Sequence, residues 1–293
     1  MKKKLTIGQL ILMLIIFGIT LTMIIPLLNI LAISLSSPSA SINMTGLDIL
    51  PKDISLDNYR VVLSHPNIFT ALLNSIFIAA VGVFINITLT IMAAYVLVQP
   101  QLVLKKAIMV FLIVMMLFDP GLIPEYLVVQ KVGLMGSQWS VILVNAVHVF
   151  YLIIMMRYFQ EVPQEVLEAA RIDGAGHMAI LFRVMAPLHK AGIATISMFY
   201  AVLRWNEYIK AGIYITSPAK TTLQVILRRF VVENDTTSLV GAGNLMNYND
   251  LARMDYTAIK YATIIVAILP ILFLYPIVLK YYTKDVMQGS VKE

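Results

Sequence analysis

The chain has 293 residues, of which 59% are hydrophobic and only 13% are charged. A soluble domain carries about 25% charged residues, so this composition excludes that class and predicts a protein that lies in a bilayer. The net charge of +6 does not indicate a nucleic-acid partner, because the basic residues flank apolar runs and form no continuous stripe. The absence of cysteine excludes disulfides and thiolate metal sites.

The length of the apolar runs predicts an all-α, polytopic integral membrane protein. A spanning helix needs about 20 mostly apolar residues, whereas the strands of a spanning barrel have about 10 residues of alternating polarity. The sequence lacks that alternation. Six runs are predicted to be transmembrane helices: 7–35, 68–98, 107–129, 138–156, 192–215 and 259–279. We therefore predict a single membrane domain over residues 1–293.

The first run follows Lys2, Lys3 and Lys4, so a cleaved secretory signal is an alternative to a retained helix. Its 29 uncharged residues exceed the core of about 7 to 15 residues that a signal has, which favours retention. With a cytoplasmic N-terminus, the cytoplasmic segments hold 12 of the 22 lysines and arginines and the external segments hold 8. This bias obeys the positive-inside rule. It places both termini and residues 161–190 in the cytoplasm, and loops 36–67 and 216–258 outside.

Breaks and lone polar residues interrupt the predicted spans. Asp119, Pro120, Gly121 and Pro124 break the third span. Such broken segments can mark transporter sites, although a bend into an external surface helix is the favoured interpretation. Lone polar side chains in an apolar span commonly form interhelical hydrogen bonds, and we predict that role for Asn74, Asn86, Asn145 and His148.

Residues 161–190 form a polar, amphipathic island between the fourth and fifth spans. Pro163 stands where a helix can begin, and a turn is predicted over 174–176 because Gly174 and Gly176 lie there. A second short helix is predicted over 178–185, ending before Pro187, because the residue before a proline disfavours the α conformation. Two short helices joined in this way make a knob suited to a socket on a partner. The alternative is an ordinary hairpin that only links two spans.

The fifth span carries three charges, Arg204, Glu207 and Lys210, at successive i, i+3 positions. That spacing places them on one side of a helix, and charges at membrane depth cost several kcal/mol unless they are paired or wet. A water-lined substrate path and an ion-pair network that fixes helix packing both stay open. The candidate path residues are Tyr200, Arg204, Trp205, Asn206, Glu207 and Tyr208.

The spacing within the island resembles that of a known family. It has Glu168-Ala169-Ala170, three residues, Gly174, nine residues, and then Val184 to Pro187. This is similar to the cytoplasmic signature loop of permeases from binding-protein-dependent ABC importers, with Val184 and Ala186 replacing the isoleucine and leucine of that pattern. The run 205–208, Trp-Asn-Glu-Tyr, resembles an element of carbohydrate-importer permeases. Within the family the chain is most similar to the polysaccharide-type branch, and there to the second permease of an alginate importer.

The resemblance implies a role for each part of the chain. It implies that the island docks on an ATPase through Glu168, Ala169, Ala170, Asp173, Gly174 and Pro187. It implies that the C-terminal tail reaches the ATPase dimer through Gly289, Ser290 and Lys292. It further implies a heterodimer with a homologous second permease, two ATPase subunits, an extracytoplasmic solute-binding protein, and a bacterial cytoplasmic (inner) membrane location. The implied cargo is an oligosaccharide, with an acidic, alginate-like sugar favoured.

The chain itself shows no catalytic or metal-binding pattern. The phosphate-loop motif G-x-x-x-x-G-K-S/T, H-E-x-x-H and G-x-S-x-G are absent, and the four histidines lack ligand spacing. We therefore expect a non-catalytic subunit that binds no cofactor, with ATP and Mg²⁺ bound by the partner ATPase subunits. The alternative function is a self-contained secondary transporter or channel for a polar solute.

Overall fold

The computed structural model describes residues 6–64, 66–233 and 255–289. Over these residues the chain is helical and contains no strand, apart from one isolated β-bridge between Ser36 and Ile54. The predicted all-α fold class is confirmed. The helices are α1 Ile7–Ser34, α2 Pro38–Ser41, α3 Asp57–Ser64, α4 Pro66–Val98, α5 Lys105–Leu117, α6 Leu122–Lys131, α7 Gln138–Leu143, α8 Val149–Gln160, α9 Gln164–Ile172, α10 His177–Leu188, α11 Lys190–Trp205, α12 Ile209–Tyr214, α13 Leu223–Val231 and α14 Tyr256–Gly289.

The described helices differ in whether they are long enough to cross a membrane unbroken. Three of them are: α1, α4 and the first part of α14. The pairs α5–α6 and α10–α11 are bent by 115° and 88°. If each bent pair counts as one span, the described residues supply up to five, and α8 is a shorter apolar helix. The number of six spans therefore stays a prediction.

Three of the predicted spans are split by short breaks. The run 107–129 divides at residues 118–121, where Gly121 has φ +80°, and the run 138–156 divides at 144–148, where Asn145 has φ +53°. The left-handed region is incompatible with a continuing right-handed helix. The run 192–215 divides at 206–208, where the Asn206 amide donates to the Val202 carbonyl at 2.9 Å. Such a local bond competes with the helical ladder.

The first polar connection, residues 36–67, is tied to the end of α1 within the unit formed by Met1–Phe69 and Ile226–Pro270. The Asn29 amide donates to the carbonyls of Thr45 and Asp48, both at 2.8 Å, and Asn58 donates to Ser34 and Ser36. A bond from the Thr45 backbone N–H holds the pKa of Asp48 below its usual range. Buried amides that reach loop carbonyls give this connection a defined conformation.

The second compact unit comprises Thr70–Val225 and Ile271–Glu293. A large cluster of buried apolar side chains in this unit joins three helices, α4, α8 and α11, to the polar island. Its members are Ile91, Ala94, Tyr95, Leu97, Leu152, Met155, Met156, Phe159, Val162, Leu167, Ile180, Leu181, Met185, Ile196 and Tyr200. Burying one Leu-sized side chain stabilises by roughly 1.5 to 3 kcal/mol. The island is therefore packed onto α4, α8 and α11 as part of the core.

Two of the predicted interhelical hydrogen bonds are present in this unit. Asn74 on α4 donates to the carbonyls of Ala219 and Thr221 at 2.9 and 3.0 Å, and it accepts from the amide of Gln138 on α7 at 2.9 Å. Asn86, also on α4, bonds to Arg204. The prediction for these two asparagines is confirmed, since amides in an apolar span need partners on other elements. It is not confirmed for the buried Nδ1 atom of His148, which has no hydrogen-bond partner among the described residues.

Candidate coupling site and the polar centre of the spans

The first arm of the island is α9, which begins after Pro163 as predicted. Its apolar face is anchored by Leu167, which is 7% exposed and belongs to the core. Its opposite face presents Glu168 and Ala169 to solvent, while Ala170 is half-buried. The small and acidic residues of the signature are therefore displayed on a helix whose other side packs in the same core cluster as α4 and α8.

A glycine turn closes α9. Gly174 has φ +81°, its N–H bonds to the Arg171 carbonyl at 3.0 Å, and the Ala175 N–H bonds to the Ala170 carbonyl at 3.0 Å. This pair of bonds is the Schellman motif, which satisfies the last carbonyls of a helix and requires a residue that tolerates positive φ. A Cβ at Gly174 would meet no atom within 4 Å. The glycine is therefore required by its backbone conformation and not by crowding within this chain.

The second arm differs from the prediction. The helix does not end before Pro187, because α10 continues to Leu188. It does so through a π-helical segment over Ile180–Met185. A proline inside an α-helix leaves one carbonyl without its usual N–H partner. A π segment joins residues five apart, instead of four apart, by hydrogen bonds in the preceding turn. The prediction of an earlier end was wrong because Ala186, the residue before the proline, keeps the α conformation, with φ −65° and ψ −43°.

Both ends of α10 are attached to neighbouring helices. The Tyr95 hydroxyl on α4 and the His177 Nδ1 atom lie 2.8 Å apart. At the other end the chain turns sharply at His189 into α11, where a Cβ at Gly192 would lie 2.7 Å from the ring of Tyr158 on α8. Only glycine allows this close approach of two helices. Both ends of the second arm are therefore in contact with the spanning helices α4, α8 and α11.

The exposed part of the island is an unusual mixture of polar and apolar side chains. Asp173, Gly174 and Pro187 are exposed together with Ile172, which is 86% exposed, and Met178, which is 60% exposed. Apolar groups displayed on a polar projection mark an interaction surface. This arrangement favours a docking knob over a plain linker between two spans.

Arg204, predicted as a path residue or a packing residue, is 3% exposed. Its guanidinium donates to four backbone carbonyls: Val141, Ile142, Val144 and Asn145. These carbonyls lie at the end of α7 and in the break that follows it, where helical partners are missing. Arg204 therefore replaces the absent N–H donors of a broken span.

Asn86 completes the surroundings of Arg204. In the amide orientation that satisfies both of its ends, the oxygen accepts from Nε and Nη2 of Arg204 at 2.9 and 3.0 Å, and the nitrogen donates to the Gly82 and Ala146 carbonyls. A Cβ at Gly82 would lie 3.3 Å from Cγ of Arg204. The arginine is thus enclosed by α4, α7 and α11.

The three charges of the fifth predicted span do not share one helix, since α11 ends at Trp205 and α12 begins at Ile209. Glu207 accepts from the backbone N–H of Lys210 at 3.1 Å, and the Lys210 ammonium pairs instead with Glu125 at 2.8 Å. The expectation of a common helical side was wrong, because it assumed an unbroken helix across Asn206.

Glu125 was not identified from the sequence. It accepts hydrogen bonds from Lys210 and, at 2.6 Å, from the Tyr214 hydroxyl. Lys210 lies 85 residues away in the chain. The cost of a lone charge in an apolar run indicates that Lys210 needs a carboxylate, but no local pattern tells which one.

The other candidate path residues occupy different environments. Tyr200 is fully buried, shares a hydrogen bond with the Thr90 hydroxyl at 2.7 Å and accepts from the backbone N–H of His148 at 3.0 Å. Trp205 is 6% exposed, whereas Asn206 and Tyr208 are exposed. These contacts favour packing for Tyr200, Arg204 and Trp205, and the substrate path stays a prediction. In the tail, Gly289 is the last described residue, and Ser290 and Lys292 lie outside the described residues.

A family model described as "Binding-protein-dependent transport system inner membrane component" matches residues 86–288. The chain belongs to this family. The match includes the whole island with its signature residues, as well as Arg204 and Glu125. This permease is a non-catalytic subunit of an ABC importer whose ATPase is a separate chain, which excludes the self-contained transporter or channel that the sequence had left open.

Curated relatives and a solved structure are similar over nearly the whole permease. It is 34% identical to the polygalacturonan/rhamnogalacturonan transport system permease protein YtcP of Bacillus subtilis (strain 168), over 92% of each chain. It is 37% identical to protein LplC of the same organism, over 94% of this chain and 91% of that protein. A crystal structure of a bacterial ABC transporter involved in import of the acidic polysaccharide alginate contains a chain with a TM-score of 0.86 and 28% identity, covering 96% of this permease and 100% of that chain.

Proposed function

We propose that this permease pairs with a homologous permease to import an oligosaccharide, and that the cargo is acidic. Two ATPase subunits bind ATP and Mg²⁺, and an extracytoplasmic solute-binding protein delivers the sugar. The observation that carries the ATP-driven part is the island, whose signature face is exposed while its other face belongs to the core of α4, α8 and α11. A force on such a knob reaches the spanning helices directly. Both termini are then cytoplasmic, as the distribution of lysine and arginine indicates.

The acidic cargo is supported by the relatives and not by the buried cations. YtcP is named for galacturonans, and the similar solved transporter imports an acidic polysaccharide. Arg204 bonds to backbone carbonyls, and Lys210 pairs with Glu125, so neither offers an unpaired charge to a carboxylate. Arg229 on α13 is exposed and can attract an anionic sugar over the range of about 8 to 10 Å that salt screening allows.

The cargo assignment is tested with the complete importer in proteoliposomes. Trigalacturonate, an alginate trisaccharide and neutral raffinose are each added with the binding protein, and ATP hydrolysis and sugar uptake are measured together. We expect the two acidic trisaccharides to stimulate hydrolysis at least tenfold more than raffinose. An ATPase carrying a disabled phosphate loop should abolish uptake of every sugar. Equal stimulation by raffinose would contradict the acidic cargo, while uptake without a functional ATPase would contradict the coupling role.

The C-terminal tail is proposed to contact the ATPase dimer through Gly289, Ser290 and Lys292. Deleting residues 289–293 should lower sugar-stimulated ATP hydrolysis by a few-fold without preventing assembly, because the deletion removes a contact and no part of the described core. The measurement is stimulated and basal hydrolysis by the purified complex. Unchanged stimulation after the deletion would show that the tail is a frayed terminus.

A further inference from the structure

A cavity of about 490 Å³ lies beside two of the chain breaks. Pro120 borders it at the break before α6, and Pro124 borders it from the first turn of α6. Val144 and Asn145 border it at the break after α7. Its volume falls within the roughly 300 to 1,000 Å³ that is usual for small-molecule sites. Helix breaks of this kind are where membrane transporters place binding groups, because irregular backbone at membrane depth must line a cavity or be buried in protein.

The walls of the cavity are apolar, and its polar groups are Glu125 and Asn145. Oε1 of Glu125 accepts from Tyr214 at 2.6 Å and from Lys210 at 2.8 Å. Oε2 accepts from Lys210 at 2.9 Å and, over the longer distance of 3.4 Å, from the Asn145 amide. A carboxylate offers about four acceptor positions, and a bond of 3.4 Å is long for an N–H···O contact. The position held by Asn145 is therefore the easiest for another donor to take.

The charge of this polar group is already balanced. The Lys210 ammonium lies within 3 Å of both carboxylate oxygens, so the pair has no net charge. A sugar carboxylate would be repelled by Glu125 and would have to displace it from Lys210. A sugar hydroxyl, by contrast, can donate to Oε2 and accept from the Asn145 amide without disturbing the pair. Apolar walls complement the C–H face of a sugar ring.

We propose that this cavity binds one pyranose ring of the cargo through its hydroxyl groups, with Glu125 and Asn145 as the polar contacts. The inference rests on the proposed function, since it takes the cargo to be an oligosaccharide. It assigns Lys210 the role of neutralising Glu125 and not of binding an acidic group. The site is then indifferent to whether the ring also carries a carboxylate elsewhere.

Occupancy is tested directly by cysteine protection, because the natural chain has no cysteine. Val128 lines the cavity and is 61% exposed, whereas Val114 on α5 is 55% exposed and does not line it. Val128→Cys and Val114→Cys are introduced separately into the complete importer, and maleimide labelling of this chain is followed with trigalacturonate or raffinose present. We expect either sugar to slow labelling at position 128 at least threefold and to leave position 114 unchanged. Equal rates at position 128 with and without both sugars would overturn the proposal.

Transport supplies a second readout. Val128→Trp should fill the cavity and raise the KM for uptake at least tenfold, while Val114→Trp should leave both the KM and basal ATP hydrolysis unaltered. Normal uptake by Val128→Trp would overturn the proposal even if the cysteine result were positive. If the wild-type importer takes up neither sugar, the proposed function fails, and protection at position 128 still decides whether the cavity holds a sugar ring.

Discussion

Replacing Arg204 by glutamine is expected to destabilise the importer without changing its preference among sugars. The substitution removes a cation that bonds to four backbone carbonyls and to Asn86. Each buried acceptor left without a donor costs about 1 to 3 kcal/mol. Because glutamine can reach only some of them, we expect a loss on the order of 3 to 5 kcal/mol. The measurement is the thermal stability and yield of the assembled complex, followed by ATP hydrolysis of the surviving fraction with acidic and neutral sugars.

Arg204→Lys separates the charge of Arg204 from its geometry, and Arg157→Gln is the control for losing an arginine. Arg204→Lys keeps the charge but has a single nitrogen and should still lose most of the stability, since a lysine cannot span the same set of carbonyls. Arg157→Gln removes an exposed arginine from the end of α8 and should leave stability unchanged. An Arg204→Gln complex of normal stability with altered sugar preference would restore Arg204 to the substrate path.

Gly174→Leu is expected to uncouple ATP hydrolysis from uptake, lowering the sugar transported per ATP at least tenfold while the complex still assembles. Leucine in the left-handed region costs roughly 1 to 2 kcal/mol, which the core contacts of Leu167 and Leu181 can tolerate. The larger effect arises outside this chain, because the added side chain projects into space that is open here and that we propose an ATPase occupies.

The chain offers a matched control for this substitution. Gly133 ends α6 with φ +77°, forms the same pair of closing hydrogen bonds, and has no atom within 4 Å of an added Cβ. Gly133→Leu therefore imposes the same backbone strain away from the island and should leave the sugar transported per ATP unchanged. Asparagine tolerates positive φ, so Gly174→Asn should retain more coupling than Gly174→Leu. Equal uncoupling by the variants at Gly174 and Gly133 would show that strain alone is responsible.

Local chemistry explains why the island could be predicted from the sequence. Pro163 begins a helix, Gly174 ends it, and both effects depend on residues within a few positions of each other. The spacing from Glu168 to Pro187 could then be compared with a family pattern. The end of α10 could not be predicted, because a π segment was needed to carry the helix past Pro187.

The roles of Arg204 and Lys210 depend on contacts between distant parts of the chain. Arg204 meets carbonyls about 60 positions away and Lys210 meets Glu125 85 positions away, so periodicity carries no information about either pairing. The sequence shows only that such charges need partners in an apolar setting. It left open whether the partners were water, a sugar or the protein itself.

Composition and run length by themselves determined the membrane class and the helical fold, because lipid demands that every backbone group be satisfied within the protein. The signature spacing resembled that of a family, and the family model over residues 86–288 confirmed the membership. The sequence also predicted the break in the span 107–129. Only the tertiary structure decided that the spans 138–156 and 192–215 are broken as well, that Arg204 supplies the hydrogen bonds lost at one break, and that Glu125 neutralises Lys210 beside a cavity. The physical reason is that a break costs unsatisfied backbone groups, and the side chain that satisfies them comes from wherever packing brings one close.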